Sequence, residues 1–497
     1  MILTRVNEQG WQENALRIAE NHGRLVTLWG RQSVPGYFTM YAVFFDSNVG
    51  LEGMSLRLAN GVTSYPDLSN LFACANRMQR AMWDLLGVSA ANSLDTRAWL
   101  SHGAWPDDYF PLRKEFSGRE VSKENLLDEY SFIDVIGDGV HEIAVGPVHA
   151  GIIEPGHFRF SVVGEKTLRL EQRLGYAHKG VDKAFERYSG LNGVQLASRI
   201  CGDSTVAYSW AYCMALESAW KWKVPERALW LRALMLERER VANHLGDLGA
   251  IGNDAGFTFG LTQFMILKEQ WIRVNKTLFK HRFIMDCVIP GGALYDINGE
   301  DVAEILKQCE HTLKEVKILK GIYEEHTGLQ DRFISTGKVS KDVANKLGLT
   351  GLAARASDIK EDARKLFPTY PYSELDFNIS GAESGDVAAR VSVRFDEIFE
   401  SLRLISEIAA GLPEGQTQST CKPPKKPTFG FGWIEGWRGG IFAGLHLDQT
   451  GQIDRAHIHD PSWQNWPALD YAVIGDIVPD FPLINKSFNL SYSGHDR

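Results

Sequence analysis

Four segments of the chain bring together residue types that do chemistry. In GPVHAGIIEPGHFRF, residues 146–160, Glu154 and His157 stand three apart in a turn shaped by proline and glycine. A buried carboxylate and an imidazole both titrate near neutrality, so the pair can relay protons. The run SRICGDSTVAYSWAYCMALE, residues 198–217, sets Arg199 and Cys201 ahead of a helix expected to start near Ser204. Free N–H groups make such a helix end positive, which biases a cysteine there toward thiolate, the form that ligates metals. WIEGWRGG, residues 433–440, presents the fixed cation of Arg438 between an aromatic ring and two glycines, with Glu435 near enough to pair with it. The tail SFNLSYSGHDR places Ser491 and Gly494 three apart, the spacing of a C-x-x-C pair. Taken singly, each segment also fits a structural role: a hydrogen-bonded turn, a packed cysteine, a salt-bridged loop. Cys213, inside the helical run, reads as core.

The elements that must position these residues suggest an α+β protein. Residues 1–130 read as a small α/β domain. YFTMYAVFF, 37–45, is a buried strand, and LSNLFACANRMQRAMWDLLGV, 68–88, carries apolar residues at helical spacing. HGAWPDDYFPLRKEF, 102–116, is an extended strap, and the charged stretch 115–129 is the linker candidate. Residues 131–497 form a mostly helical domain with short β segments. Strands are expected at 141–146 and 157–170. A helical body runs from Ser204 to about Gly249, broken and restarted at Pro225 and Glu226. Within it, LMLERERVANHLG, 234–246, interleaves apolar residues with charge at i,i+4 spacing. Helices follow at 301–324 and 385–411, with a Pro/Tyr-rich loop at 354–377 between them. From Thr428 the glycine-rich aromatic sequence turns β-like. The tail, 460–497, is too apolar to stay disordered and is expected to thread back into the body.

Composition narrows the function. A net charge of −9 argues against a nucleic-acid binder. With 44% hydrophobic and 23% charged residues, the chain can bury a core and is not disordered. No run approaches the roughly 20 apolar residues of a membrane span, and the N-terminal sequence has no secretory h-region. The six cysteines form no C-x-x-C pair, which suits reduced thiols and leaves the chain unable to ligate an iron–sulfur cluster itself. No G-x-G-x-x-G follows a predicted strand, so no dinucleotide fingerprint is present.

Together the four segments resemble one superfamily: the NiFe-hydrogenase large subunits and the large hydrophilic D-type subunit of respiratory complex I. Within it the chain is similar to the hydrogenase-4 and formate hydrogenlyase branch. That branch carries G-P-x-H followed by E-P-G-H-F-R, here Gly146 to Arg159. GYAHKGVDKAFE, 175–186, and LERERVANHLGDLGAIGNDAGF, 236–257, continue the likeness. Residues 1–130 resemble the complex I C-type (30-kDa) subunit through His102, Trp105, Pro106, Pro111, Leu112, Arg113 and Lys114. The resemblance implies that metal-holding family members supply four thiolates as two C-x-x-C pairs. Here those positions read Cys201, Ser204, Ser491 and Gly494. A serine hydroxyl is a hard, high-pKa oxygen and glycine offers no ligand, so a NiFe centre and hydrogenase activity are not expected. Tyr208 replaces a histidine of the pattern. The quinone-gripping histidine and tyrosine of complex I fall on Pro155 and Gly202, with His157 and Tyr208 as nearby substitutes.

The resemblance therefore implies a redox subunit of a membrane-attached, ion-translocating complex. Electrons would come from an iron–sulfur cluster on a partner small subunit and pass to an acceptor, quinone first among the candidates. The site would be lined by Glu154, His157, Arg199, Tyr208 and Arg438, with proton uptake coupled to antiporter-like membrane subunits. No cofactor would be bound by this chain, and NAD would act elsewhere in the complex. The expected place is the cytoplasmic face of the inner (plasma) membrane, held peripherally. The alternative is a non-catalytic scaffold or coupling subunit of such a complex.

Overall fold

A computed structural model describes residues 3–106, 108–118, 130–149 and 153–497. Of the expected linker, residues 119–129 lie outside the described residues.

The aromatic strand expected at 37–45 forms as Tyr37–Asp46 and pairs antiparallel with both Arg24–Val34 and Gly50–Arg57. Leu3–Val6 adds to the latter in parallel, completing a four-stranded sheet. Its covering helix is shorter than its periodicity suggests, spanning Ala75–Leu86. The Asp67 carboxylate holds residues 68–70 in a turn by accepting from the Ser69 N–H at 2.9 Å and the Asn70 amide at 3.2 Å. That local competition keeps the first seven residues out of the helix.

The strands expected near 141–146 and 157–170 appear as Val140–Val145, His157–Val163 and Lys166–Arg173, an antiparallel three-stranded sheet. Helices Thr205–Trp220 and Glu226–Asp254 are separated at Pro225, which sits at the N-cap with extended backbone. The second of these is buried all round, as a helix at the centre of a bundle must be. Its charges do not form a solvated stripe; they reach across to other elements. Arg232 pairs with Glu217 at 2.6 Å, His244 with Glu397 at 2.7 Å and Arg394 with Asp247 at 3.0 Å. Helices Thr258–Phe279, Gly299–Glu325 and Val387–Ala410 complete the bundle.

The glycine-rich segment folds as antiparallel strands Thr428–Glu435, Gly440–Leu447 and Ile453–His459. Gly430 and Gly432, two apart, face the helix Thr205–Trp220. A Cβ at either would run into the backbone carbonyl of Ala215 or Ala211. Alternating glycine thus lets a helix lie directly on the strand backbone.

The N-terminal sheet does not own a separate core. Its apolar side chains pack with Phe158, Phe160, Phe442, Trp463 and Trp466 in one cluster. Trp29 stacks on His457 with ring centroids 4.8 Å apart, and Thr27 hydrogen-bonds the same imidazole at 2.7 Å. The tail returns into the body as helices Phe481–Phe488 and Tyr492–Asp496, the latter entirely buried.

Candidate functional site

The two ends of the larger unit meet. Ser491 Oγ donates to Cys201 Sγ at 3.0 Å and accepts from the Gly494 N–H at 2.8 Å. Ser204 stands at the N-cap of the helix Thr205–Trp220, yet its side chain does not cap that helix. The N–H groups of Val206 and Ala207 go instead to Glu239 of the neighbouring long helix, at 2.7 and 3.2 Å. Freed from capping, Ser204 Oγ donates to Asp203 at 3.1 Å and accepts from the Trp437 indole at 3.0 Å. The four positions Cys201, Ser204, Ser491 and Gly494 therefore form one buried cluster.

Arg438 closes it. The tight turn between strands Thr428–Glu435 and Gly440–Leu447 delivers its guanidinium over the Trp437 ring, 3.9 Å from the centroid. Nη1 and Nη2 fork onto the two oxygens of Asp203 at 2.7 and 2.6 Å, a bidentate pair. Nε donates to the Asn489 carbonyl at 2.5 Å, and Cys201 Sγ lies 3.7 Å from Nη1. Burial alone would raise the Asp203 carboxyl, but the adjoining Arg438 cation wins and holds it down at about 2. The opposite applies to Cys201: burial, then the Asp203 charge, push its thiol well above the ordinary range. The positive helix end was expected to favour thiolate. Glu239 occupies that helix end and Asp203 faces the sulfur, so the thiol stays protonated.

The remaining expectations divide. Tyr208 is fully buried beside the cluster, its hydroxyl donating to Asp460 at 2.5 Å; burial and then the Asp460 charge raise it far above the usual phenol value. Glu154 is exposed but touches the site's edge, accepting from the Ser493 N–H at 3.1 Å. His157 does not join it. As the first residue of its strand it faces Phe132 at 5.1 Å between centroids, and burial and then Arg159 lower its basicity. Alternation along the strand sends it away from the preceding loop's carboxylate. Arg199 is also elsewhere, half exposed and forked onto Asp286 at 2.7 and 2.6 Å. Glu435 does not pair with Arg438; it receives Arg355 at 2.8 Å and the Ala363 N–H at 3.0 Å. The five residues expected to line one cavity thus reduce to Tyr208 and Arg438, with Glu154 at the margin.

Asp203, Glu239, Asp460 and Asn489 were not foreseen. Asp203 had a signal, since C-G-D-S puts a carboxylate inside the same motif. Asn489 and Glu239 lie within the quoted tail and helix motifs, but nothing in their spacing marked them, and Asp460 stands at the start of the tail with no signal.

The cluster does not fit a thiolate-held metal pair. One cysteine is present, and its sulfur already accepts from Ser491 and Arg438. A Cβ at Gly494 would lie 2.6 Å from the Tyr208 hydroxyl and 2.7 Å from Asp460 Oδ2, so the fourth ligand position is filled by other groups.

Glu239 is expected to make stability depend on pH. Burial lifts its carboxyl to about 8, against the two N–H groups that hold it down. The folded protein keeps this proton where the unfolded chain has lost it. Stability should therefore fall as pH rises from the ordinary glutamate value of 4.5 to about 8. Glu239→Gln, neutral throughout, is expected to flatten that slope in urea midpoints. An unchanged slope would show that the group titrates normally.

Comparison with known proteins adds the relatives. Residues 5–122 match the family model of the respiratory-chain NADH dehydrogenase 30 Kd subunit, and residues 254–431 that of the 49 Kd subunit. The chain is 30% identical over 440 residues to formate hydrogenlyase subunit 5 of Escherichia coli, covering 87% of this chain and 77% of that protein. It is 27% identical over 412 residues to the fused C/D component of NADH-quinone oxidoreductase from Phocaeicola vulgatus, covering 78% and 77%. Among solved structures, a chain of the archaeal membrane-bound sulfane sulfur reductase, a respiratory membrane complex, superposes with a TM-score of 0.68 at 26% identity. That match covers 73% of this chain and 100% of the other.

Proposed function

This chain belongs to the family of formate hydrogenlyase subunit 5, joining a segment like the respiratory-chain NADH dehydrogenase 30-kDa subunit to one like the 49-kDa subunit, and we propose that it is the redox subunit of a membrane-bound complex of that kind. Electrons arrive from an iron–sulfur cluster on a partner small subunit and reduce an organic acceptor of the quinone class at the mouth of the Asp203–Arg438 pair. Two electrons and two protons convert quinone to quinol, with proton uptake coupled to antiporter-like membrane subunits. The single observation that carries this reading is the preserved cation. Arg438 stays charged against burial because Asp203 sits beside it, and Asp203 itself remains about a third exposed. A fixed cation at an otherwise closed cluster can stabilise the negative charge that develops on a carbonyl oxygen during reduction. Glu154, exposed and hydrogen-bonded to the tail helix, is the proton entry. Among the described residues no helix is long and apolar enough to cross a membrane; the proposed seat is peripheral, on the cytoplasmic face, held by partner subunits.

In the assembled complex, Arg438→Met is expected to cut quinone reduction about tenfold or more, as loss of a charge-stabilising donor does elsewhere. His157→Ala and Arg199→Ala should stay near wild type, because neither touches the cluster. Quinone reduction untouched by Arg438→Met would overturn the assignment.

A second reading, a coupling scaffold without its own turnover, is favoured by one observation. The donors of Arg438, the Tyr208 hydroxyl and Ser491 Oγ are all engaged inside the cluster. Under that reading Arg438→Met weakens subunit assembly on native gels, and complex that does assemble turns over normally.

A further inference from the structure

A cavity of about 560 Å³ lies at the seam between the helix Ala75–Leu86, the strand Lys166–Arg173 and the helix Ala468–Ala472, apart from the Cys201 cluster. Its wall carries Arg77, Arg80, Arg97 and Arg169 against three acids. The acids are shared unevenly. Asp95 takes Arg80 at 3.1 Å and Arg97 at 2.7 Å, and Glu171 takes Arg97 at 2.6 Å. The second Glu171 oxygen accepts the Ile133 N–H at 2.9 Å, leaving Arg169 no closer than 3.8 Å, beyond hydrogen-bond range. Arg77 reaches Asp470 only at 3.5 Å, while Asp470 also accepts the Gln172 amide at 2.7 Å.

Arg80 and Arg97 are thus held by short ion pairs, Arg77 keeps one long bond to Asp470, and Arg169 has only a distant carboxylate. Among the described residues, Arg77 Nη1, Arg169 Nε and Gln172 Oε1 are buried without a hydrogen-bond partner. Buried polar groups in folded proteins are almost always paired, so three orphans in the wall of one cavity mark side chains that would gain a partner by turning toward an anion bound there. Arg77 is held in place for one: its guanidinium lies 4.7 Å from the Trp99 centroid, a stacking that fixes its plane. Burial, only partly offset by Asp470, works against its charge. At the rim, Leu168, Tyr471 and Ile474 expose 43%, 47% and 54% of their surface, an apolar collar above a cationic floor.

We propose that this seam cavity binds a small organic anion, a carboxylate or phosphate on an apolar or flat body. The acid group lies between Arg77 and Arg169, and the body rests against Tyr471 and Ile474. The volume is in the range of small-molecule sites. Because its walls come from both the N-terminal unit and the larger unit, occupancy would brace the two together.

The test uses the full chain, titrated calorimetrically with inorganic phosphate, citrate and AMP, which separate phosphate from carboxylate and bare ion from ion with a flat body. At least one should bind saturably at millimolar concentration or below and raise the melting temperature. Arg77→Gln and Arg169→Gln should each weaken that binding about tenfold, as loss of one charged hydrogen bond does. Tyr471→Ala should weaken AMP and leave phosphate unchanged. Arg169 is partly exposed, so its variant folds even if Arg77→Gln does not. Saturable binding that both arginine variants retain, or no saturable binding by any of the three, overturns the proposal.

Discussion

Replacing Arg355 by methionine is expected to destabilise the protein by about 3–5 kcal/mol at neutral pH, the scale for breaking a buried ionic network from one side. Arg355 is 1% exposed and holds three carboxylates: Glu397 at 2.7 Å, Glu435 at 2.8 Å and Asp362 at 3.6 Å. Burial pushes the Glu397 carboxyl up, but Arg355 leads the groups that bring it below the usual glutamate range. For Glu435, burial and the Asp362 charge prevail and the carboxyl is raised. Removing the arginine leaves these charges to Arg240 and Arg364, which already serve Glu237 and Asp362, and to His244, which already bonds Glu397. Glu397, depressed in the fold, contributes stability above its unfolded value and loses it as pH falls. The deficit of the variant should therefore be largest near pH 7 and shrink below about pH 4, where free carboxyls protonate. Urea melts across that range check it, and Arg355→Met/Glu435→Gln should recover part of the loss. The effect reaches the site, because Arg240 anchors the carbonyls of Glu435 and Gly436 at 2.8 and 2.9 Å, and that turn aims Arg438. A deficit independent of pH would point to lost packing rather than lost charge pairing.

Gly494→Ala should cost about 2–3 kcal/mol, at the upper end for overpacking a well-filled interior. Its added methyl would meet the Tyr208 hydroxyl and the Asp460 carboxylate, two groups locked together at 2.5 Å. Tyr208→Phe in the Gly494→Ala background should return part of that loss by removing the clashing oxygen. Gly494→Cys should be at least as unstable as Gly494→Ala. Restoring all four sulfurs, with Ser204→Cys and Ser491→Cys added, should still give a chain that takes up no nickel, by metal analysis of protein matured beside a working hydrogenase. Stable nickel at one atom per chain in that variant would show that Tyr208 and Asp460 can yield the position.

Much of the architecture was readable because it is local. The strand Tyr37–Asp46, the break at Pro225 and the glycine-rich strands each follow from a period, a fixed φ or a missing Cβ within one short window. The helix Ala75–Leu86 was overextended because periodicity cannot register an Asp67 side chain competing for the preceding turn. The charge pattern of residues 234–246 reads as i,i+4 pairing on paper. Among the described residues only Glu237 and Arg240 form an ion pair within the helix, at 3.2 Å; His244 pairs with Glu397, Arg238 bonds the Asn275 and Gln308 amides, and Glu239 accepts backbone N–H groups of another helix. A helix surrounded on all sides has no solvent face for a local stripe to occupy.

The sequence by itself set the expectation about which chemistry is missing. The four positions that the resemblance assigns to metal ligands read one cysteine, two serines and a glycine, a set that offers one thiolate rather than four, since ligand identity is a property of residue type. It also determined that Arg438 carries a fixed cation. Only the tertiary structure decided which groups share a site. Cys201 and Ser491, 290 positions apart, touch at 3.0 Å, whereas Glu154 and His157, three apart, do not meet. It likewise decided protonation: Cys201 was expected to lean toward thiolate at a helix end, and Asp203 and burial hold it neutral. The physical reason is range. Residue type and local periodicity act over a few residues, but charge, desolvation and steric exclusion are set by whatever the fold brings within a few ångströms.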